Sequence, residues 1–526
     1  MQLGFSFTLL LASLILSLSS GVQAAPTRRN AGLVTLPLKR IHQLRDDIRP
    51  ALQLQQHINR GLKRHARMTR RDAPSEHQLR ENIAKRMFIP EAGRPGSRTK
   101  RYNRQGVPKP NAVSAVTVNN AKAKGKGGKA GKAAKGAAAG AAAGAAGAAA
   151  AGAAAAAGNA TANTGAGFSK VALAAQQAGG LTAANNPTTG NSLGLDIEAN
   201  DVGYIATVQM GTPPRDFKLL MDSGSADLWV GAEQCQDVDT GANCGNHVFL
   251  GSQSSSSFVD TNKAFQVTYG SGAVAGDIIT DNINVAGLAL NKHTFGVATQ
   301  ESDQFANNQT QFDGLMGLAQ STLSEQKTLT PVESLAQQGL IQDAITSYKI
   351  SRLQDQKNDG EITFGGLDAT KFDAQSLVTF ANVNTQGFWE GNLAAVTVDG
   401  QDAGLQGRTA ILDTGTTLII APPSDAAAVH SLISGAKSDG QGGFTIPCTT
   451  TASVALTFGG QSFAIDTRDL LFSPVDPNNL TGDCISGISS GQVGGATEWL
   501  VGDVFLKNAY FSTDVTKNQI SLAKLV

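Results

Sequence analysis

One short pattern occurs twice in this chain, in matched surroundings. The apolar run Phe217–Met221 leads into Asp222-Ser223-Gly224-Ser225, and Thr409–Leu412 leads into Asp413-Thr414-Gly415-Thr416. Each copy is followed by an apolar turn containing glycine. The first is Phe312-Asp313-Gly314-Leu315-Met316-Gly317-Leu318, and the second is Trp499-Leu500-Val501-Gly502-Asp503-Val504-Phe505. Asp222 to Gly317 is 95 positions and Asp413 to Gly502 is 89. A single Asp-x-Gly reads as a turn between two strands. Two copies with matching sequels predict two lobes of similar plan, each presenting one aspartate loop.

The sequence around these loops predicts an all-β body. Short runs rich in Val, Ile, Phe and Thr alternate with Gly, Asn and Asp turns. Examples are Tyr204–Val208, Phe265–Thr268, Ile278–Val285, Ser347–Ile350, Glu361–Phe364 and Ile520–Ala523. Short helices are expected at Pro331–Gln338 and Asp425–Ser434.

Charge divides the chain. Residues 25–135 carry 27 Lys+Arg against 6 Asp+Glu, whereas 190–526 carry 15 against 36. The formal net charge of +1 therefore conceals +21 facing −21. Such a division points to an intramolecular partner before nucleic acid, although a solvated basic tail is the plainer alternative. With only Phe88, Tyr102 and Phe168 as aromatics in 25–170, stacking on bases is not expected.

The domain reading follows. Residues 1–24 resemble a secretory signal, with an apolar run Phe5–Leu18 and small residues before Ala24, though without Lys or Arg at the start. Residues 25–110 form a basic prosegment with pairs such as Lys63-Arg64 and Lys100-Arg101. Residues 111–190 are Ala/Gly/Lys-rich low-complexity linker, expected to be disordered. Residues 191–375 and 376–526 make the two lobes. No membrane span and no lipid anchor are expected.

The four cysteines, Cys235, Cys244, Cys448 and Cys484, all lie in the rear half. An even number in an exported chain favours disulfides, and nearness in sequence favours Cys235–Cys244 and Cys448–Cys484. Free thiols or zinc are the alternatives, but no Cys-x-x-Cys or His pair accompanies them, so no metal is assigned. Sequons at Asn159, Asn308 and Asn479 fit export and glycosylation.

From about residue 194 the chain resembles the pepsin family of aspartic proteases. The resemblance rests on Val202-Gly203-Tyr204, Gly211-Thr212-Pro213, both aspartate loops, Asp227-Leu228-Trp229-Val230, Thr268-Tyr269-Gly270-Ser271-Gly272 and the two glycine turns. The proposed cysteine pairs match two of the family's usual disulfides, and Val34–Arg40 is similar to the opening strand of its inhibitory prosegments. What the resemblance implies is a bilobal all-β fold with a cleft between pseudo-symmetric lobes. Asp222 and Asp413 are then the catalytic pair, acting on a bound water without metal or cofactor. Gly224, Tyr269, Gly270, Ser271, Gly415 and Thr416 line the substrate. Tyr269 is the flap tyrosine and Trp229 donates to it, while Ser225 bonds the outer carboxylate oxygen of its loop, as Thr416 does in the other. Read alone, Tyr269 is an ordinary strand residue and Trp229 plain core.

Two departures stand out. Ser223 replaces the commoner Thr but keeps the hydroxyl, so bonding between the loops should survive. Ser271 lacks the charge some fungal members carry, which predicts poor cleavage after Lys and a preference for large apolar flanking residues. The expected protein is a monomeric, secreted or vacuolar zymogen acting on proteins and peptides and inhibited by its own prosegment. A pepsin-like binding protein without catalysis is the second reading; a missing Asp or ruined flap would mark it, and neither is seen.

Overall fold

The computed structural model describes residues 34–37, 39–40, 54–56, 58–59, 165–179, 181–182, 185, 197–198, 200–269, 272–308, 310–491 and 496–526. The signal-like segment, Asn159, Gly270 and Ser271 lie outside them. Strands dominate and helices are few and short. Among the described residues no helix is long and apolar enough to cross a membrane.

Two eight-stranded sheets carry one aspartate loop each. The first runs, in spatial order, through strands that include Tyr204–Met210, Arg215–Asp222, Gly314–Gly317, Leu228–Asp237, Leu288–Glu301, Ala273–Val285 and Val259–Thr268. The second includes Glu390–Val398, Arg408–Leu412, Glu498–Val501 and Ile419–Ala421. The same device recurs in both. Gly314–Gly317 slots between the strands on either side of the first loop, parallel to Arg215–Asp222 and antiparallel to Leu228–Asp237. Glu498–Val501 does so around the second, parallel to Arg408–Leu412 and antiparallel to Ile419–Ala421. The repeat read in the sequence is therefore a repeat of topology.

A six-stranded sheet joins distant parts of the chain. Its order is Val34–Pro37, Glu361–Phe364, Ile345–Lys349, Tyr510–Asp514, Gln519–Ala523 and Val378–Ala381. Val34–Pro37 pairs antiparallel with Glu361–Phe364, and Lys39–Arg40 pairs with Ile205 and Tyr204 in the first eight-stranded sheet. The front of the chain thus extends two sheets of the body. Leu54 and Ile58, in the helical residues 54–56 and 58–59, are 2% and 3% exposed and belong to the main apolar core.

A buried ionic network also spans the sequence. Arg352 binds Asp469 at 2.6 Å, Lys507 bridges Asp469 at 2.7 Å and Asp201 at 3.0 Å, and Arg468 binds Asp466 at 2.7 Å. The two cations hold the Asp469 carboxyl well below the usual range despite its burial. Removing one partner would leave an uncompensated buried charge, so the network ties positions 201, 352, 469 and 507 to one another.

The cysteines form Cys235–Cys244 and Cys448–Cys484, and no described cysteine is free. The helices fall where expected. Pro331–Gln337 starts at a Thr330–Glu333 capping box, while Pro423–Ser431 begins two residues early because Pro423 sits in its first turn. The low-complexity reading of 111–190 needs correction at its end. Lys170–Ala178 is a helix capped by Ser169, since its Ala-rich sequence forms a helix readily once Phe168 and Ala172 are buried.

Candidate active site

Each aspartate sits where an apolar strand ends abruptly. Arg215–Asp222 buries alternate residues Phe217, Leu219 and Met221 completely, which delivers Asp222 to the inner end of the strand. Ala410, Ile411 and Leu412 do the same for Asp413. Both carboxylates are fully buried.

The two loops hold their carboxylates in the same way. The Gly224 amide donates to Asp222 Oδ1 at 2.9 Å and Ser225 Oγ to Oδ2 at 2.6 Å. The Gly415 amide donates to Asp413 Oδ1 at 2.9 Å and Thr416 Oγ1 to Oδ2 at 2.5 Å. Two donors on each carboxylate fix its orientation.

The loops also bond to each other reciprocally. The Ser223 amide donates to Thr414 Oγ1, and the Thr414 amide donates to Ser223 Oγ, both at 2.9 Å. Each hydroxyl then passes its own proton across: Ser223 Oγ to the Leu412 carbonyl at 3.1 Å, and Thr414 Oγ1 to the Met221 carbonyl at 2.9 Å. Four bonds among buried groups tie Asp222 and Asp413, 191 positions apart, into one frame. Serine at 223 suffices because only the hydroxyl is used.

The glycine turns supply clearance. A Cβ on Gly317 would lie 2.5 Å from the Ala226 backbone, and one on Gly502 would lie 2.0 Å from the Thr416 carbonyl oxygen. Only glycine lets the inserted strands pass so close beneath the loops. The backbone closes on them as well: Leu318 N donates to Asp222 O, Asp413 N to Val501 O, and Asp503 N to Thr416 O.

In the same sheet as the first loop, Val259–Thr268 and Ala273–Val285 form a long antiparallel pair of strands. Near its tip Tyr269 is 5% exposed, and its amide donates to Gly272 O at 2.6 Å. Trp229 Nε1 donates to Tyr269 Oη at 2.8 Å, giving the buried indole N–H its acceptor. Phe305 packs its ring against both, at 5.5 and 5.7 Å between centroids. Ser302 anchors the tip end of the hairpin by exchanging bonds with Ala273.

Three supporting residues escaped the sequence reading. Phe305 and Ser302 carry no motif; only the fold brings them to the hairpin. Asp227 lay inside a quoted motif without a role. It is 2% exposed and accepts from Ser324 Oγ at 2.7 Å and from the Gln326 and Glu325 amides. Burial still raises its carboxyl above the ordinary range. One turn of chain around 324–326 is thereby pinned just beyond the Asp222 loop.

Residues 203–525 match the family model described as eukaryotic aspartyl protease. A probable aspartic-type endopeptidase CTSD of Trichophyton verrucosum is 36% identical over 338 residues, covering 64% of each chain. Rhizopuspepsin-1 of Rhizopus niveus is 35% identical over 329 residues, 61% of this chain and 79% of its own length. Cathepsin D of Dictyostelium discoideum is 29% identical over 331 residues, 62% and 84% respectively. The match thus spans less than two thirds of the Trichophyton relative.

Proposed function

The chain belongs to the eukaryotic aspartyl protease family, and from that membership we propose that it is the precursor of an acid endopeptidase with Asp222 and Asp413 as its catalytic pair. The observation that carries this reading is the reciprocal Ser223–Thr414 bonding, which mounts two identically braced carboxylates in one frame. Two adjoining carboxyls do not both ionise cheaply, so the pair holds one proton over a broad acid range. The aspartic-protease pair is the standard illustration of that coupling.

The ionised member takes a proton from water, which attacks the scissile carbonyl; the protonated member donates to the carbonyl oxygen. Amide donors and hydroxyls on each carboxylate keep both oriented while the proton changes sides. Tyr269, with Gly270 and Ser271, closes over the substrate, and Trp229 steadies it. Gly224, Gly415 and Thr416 face the substrate beneath. An uncharged Ser271 favours large apolar residues beside the scissile bond over Lys.

The basic segment 25–110 acts as inhibitor, held to the acidic body at neutral pH and loosened as carboxylates protonate. Its strand pairings with both sheets and the burial of Leu54 and Ile58 support that role. Lobes spanning 191–375 and 376–526, export to the medium or an acidic vacuole, glycosylation and a monomeric state complete the proposal.

The test is digestion of an unfolded protein by acid-treated chain across pH 3 to 7, beside Asp222→Asn and Asp413→Asn, with and without a statine-type inhibitor. Acid activity abolished in both variants and blocked by the inhibitor supports the assignment. Activity surviving in either variant, or none from folded and processed chain, sinks it.

A further inference from the structure

Between the basic front of the chain and the body lies a segment whose composition gave no reason to fold, yet it is docked. The Phe168 amide donates to Leu480 O at 2.7 Å, and Ser169 Oγ accepts from the Ala172 amide at 3.3 Å to cap the helix Lys170–Ala178. Phe168 is 4% exposed and Ala172 fully buried, both within the main apolar core. Gln176 Nε2 donates to the Phe472 carbonyl at 2.8 Å, which also accepts from Asn200 Nδ2 at 3.3 Å. Leu181–Thr182 then pairs with Ile197–Glu198, leading into the first body strand. The contacts at 472 and 480 fall on the segment spanned by the Cys448–Cys484 disulfide.

Among the described side chains this attachment has no ionic component. Lys170 is the one charged residue in 136–189. On the elements the helix meets, Asp355 is bridged by Arg352 and Arg468, and Asp476 accepts from Asn478 in its own loop. Apolar contact and neutral hydrogen bonds do not change between pH 7 and 4. The basic segment has its own strand pairings and buried Leu54 and Ile58, but it adds to them an attraction to a −21 body that falls as carboxylates take up protons.

We propose that residues 165–182 are a permanent arm of the processed protein and that the cut releasing the basic segment falls upstream of Gly165. That cut adds one water across a peptide bond, leaving a carboxylate on the released piece and a new amino terminus ahead of the arm. The inference rests on the proposed reading of the basic segment as a removable prosegment and goes beyond it; the arm's protection is read separately from that of 34–40, so the two can fail independently.

Hydrogen exchange with mass spectrometry on full-length Asp222→Asn at pH 7 and 4, corrected for intrinsic rates, tests it without self-cleavage. Full-length Asp413→Asn serves as a second inactive version should the first misfold. Amides of 170–178 should hold their protection within about threefold, while those of 34–40 lose at least about tenfold. Loss of protection in the arm in step with 34–40 would overturn the proposal. So would a mass and amino-terminal sequence, from chain processed without either substitution, placing the processed terminus anywhere after Gly165.

Discussion

Replacing Glu301 with Gln should stabilise the protein increasingly as pH rises. Glu301 ends the strand Leu288–Glu301, is 2% exposed and lies in register with Asp237 on the neighbouring strand. The Cys235–Cys244 sulfurs lie within 4.8 Å of its carboxyl. Burial first, then the charges of Asp237 and Asp313, push its pKa from 4.5 up to about 8. The folded chain keeps this proton until about pH 8, while the unfolded chain releases it above about 4.5. Folding therefore binds the extra proton between those values, and stability present below pH 4.5 is lost as pH climbs towards 8. A shift of roughly 3.5 units at about 1.4 kcal/mol each gives a loss of about 5 kcal/mol, a large share of a domain's stability.

Buried His293 and His430, with pKa values lowered to about 4, work in the opposite sense, losing stability as pH falls from 6.5. Comparing Glu301→Gln with its parent cancels them. Urea unfolding of both chains at pH 4.5, 6.5 and 8, in an Asp222→Asn background, should give a difference that grows by several kcal/mol with pH. A difference constant to within about 0.5 kcal/mol would refute the assignment of a proton to buried Glu301.

Other outcomes follow from single contacts. Tyr348 is fully buried and its hydroxyl has no hydrogen-bond partner among the described residues, so Tyr348→Phe should raise unfolding free energy by about 1 kcal/mol in urea melts. Ser223→Ala strands the buried Thr414 amide and should cost about 2 kcal/mol with at least a tenfold fall in kcat, while Ser223→Thr retains both. Trp229→Phe removes the donor to Tyr269 and should lower kcat/KM about tenfold, with Tm less affected, if the hairpin closes over substrate.

What the sequence disclosed depended on distance along the chain. The aspartate loops were legible because each is a local pattern and the pattern repeats. Helix Pro331–Gln337 was legible because its cap, Thr330 with Glu333, is three residues wide. The Asp201–Lys507–Asp469–Arg352 network was not, since its members lie up to 306 positions apart and no local rule couples them. The docked helix was hidden for another reason. Its Ala-rich composition is neutral between coil and helix, and burial of Phe168 and Ala172 against residues some 300 positions later decides the matter.

The strand order of the six-stranded sheet sets a timetable for assembly. Tyr510–Asp514 and Gln519–Ala523 stand at its middle, between Ile345–Lys349 on one side and Val378–Ala381 on the other. Both come later in the chain than the other four strands of the sheet. Strands 34–37, 361–364 and 345–349 can pair among themselves, but the edges of 345–349 and 378–381 that face 510–523 stay open until those strands arrive. The sheet therefore closes only once residues 510–523 are in place, and loss of residues 519–526 would delete the one neighbour that Val378–Ala381 has in that sheet among the described residues.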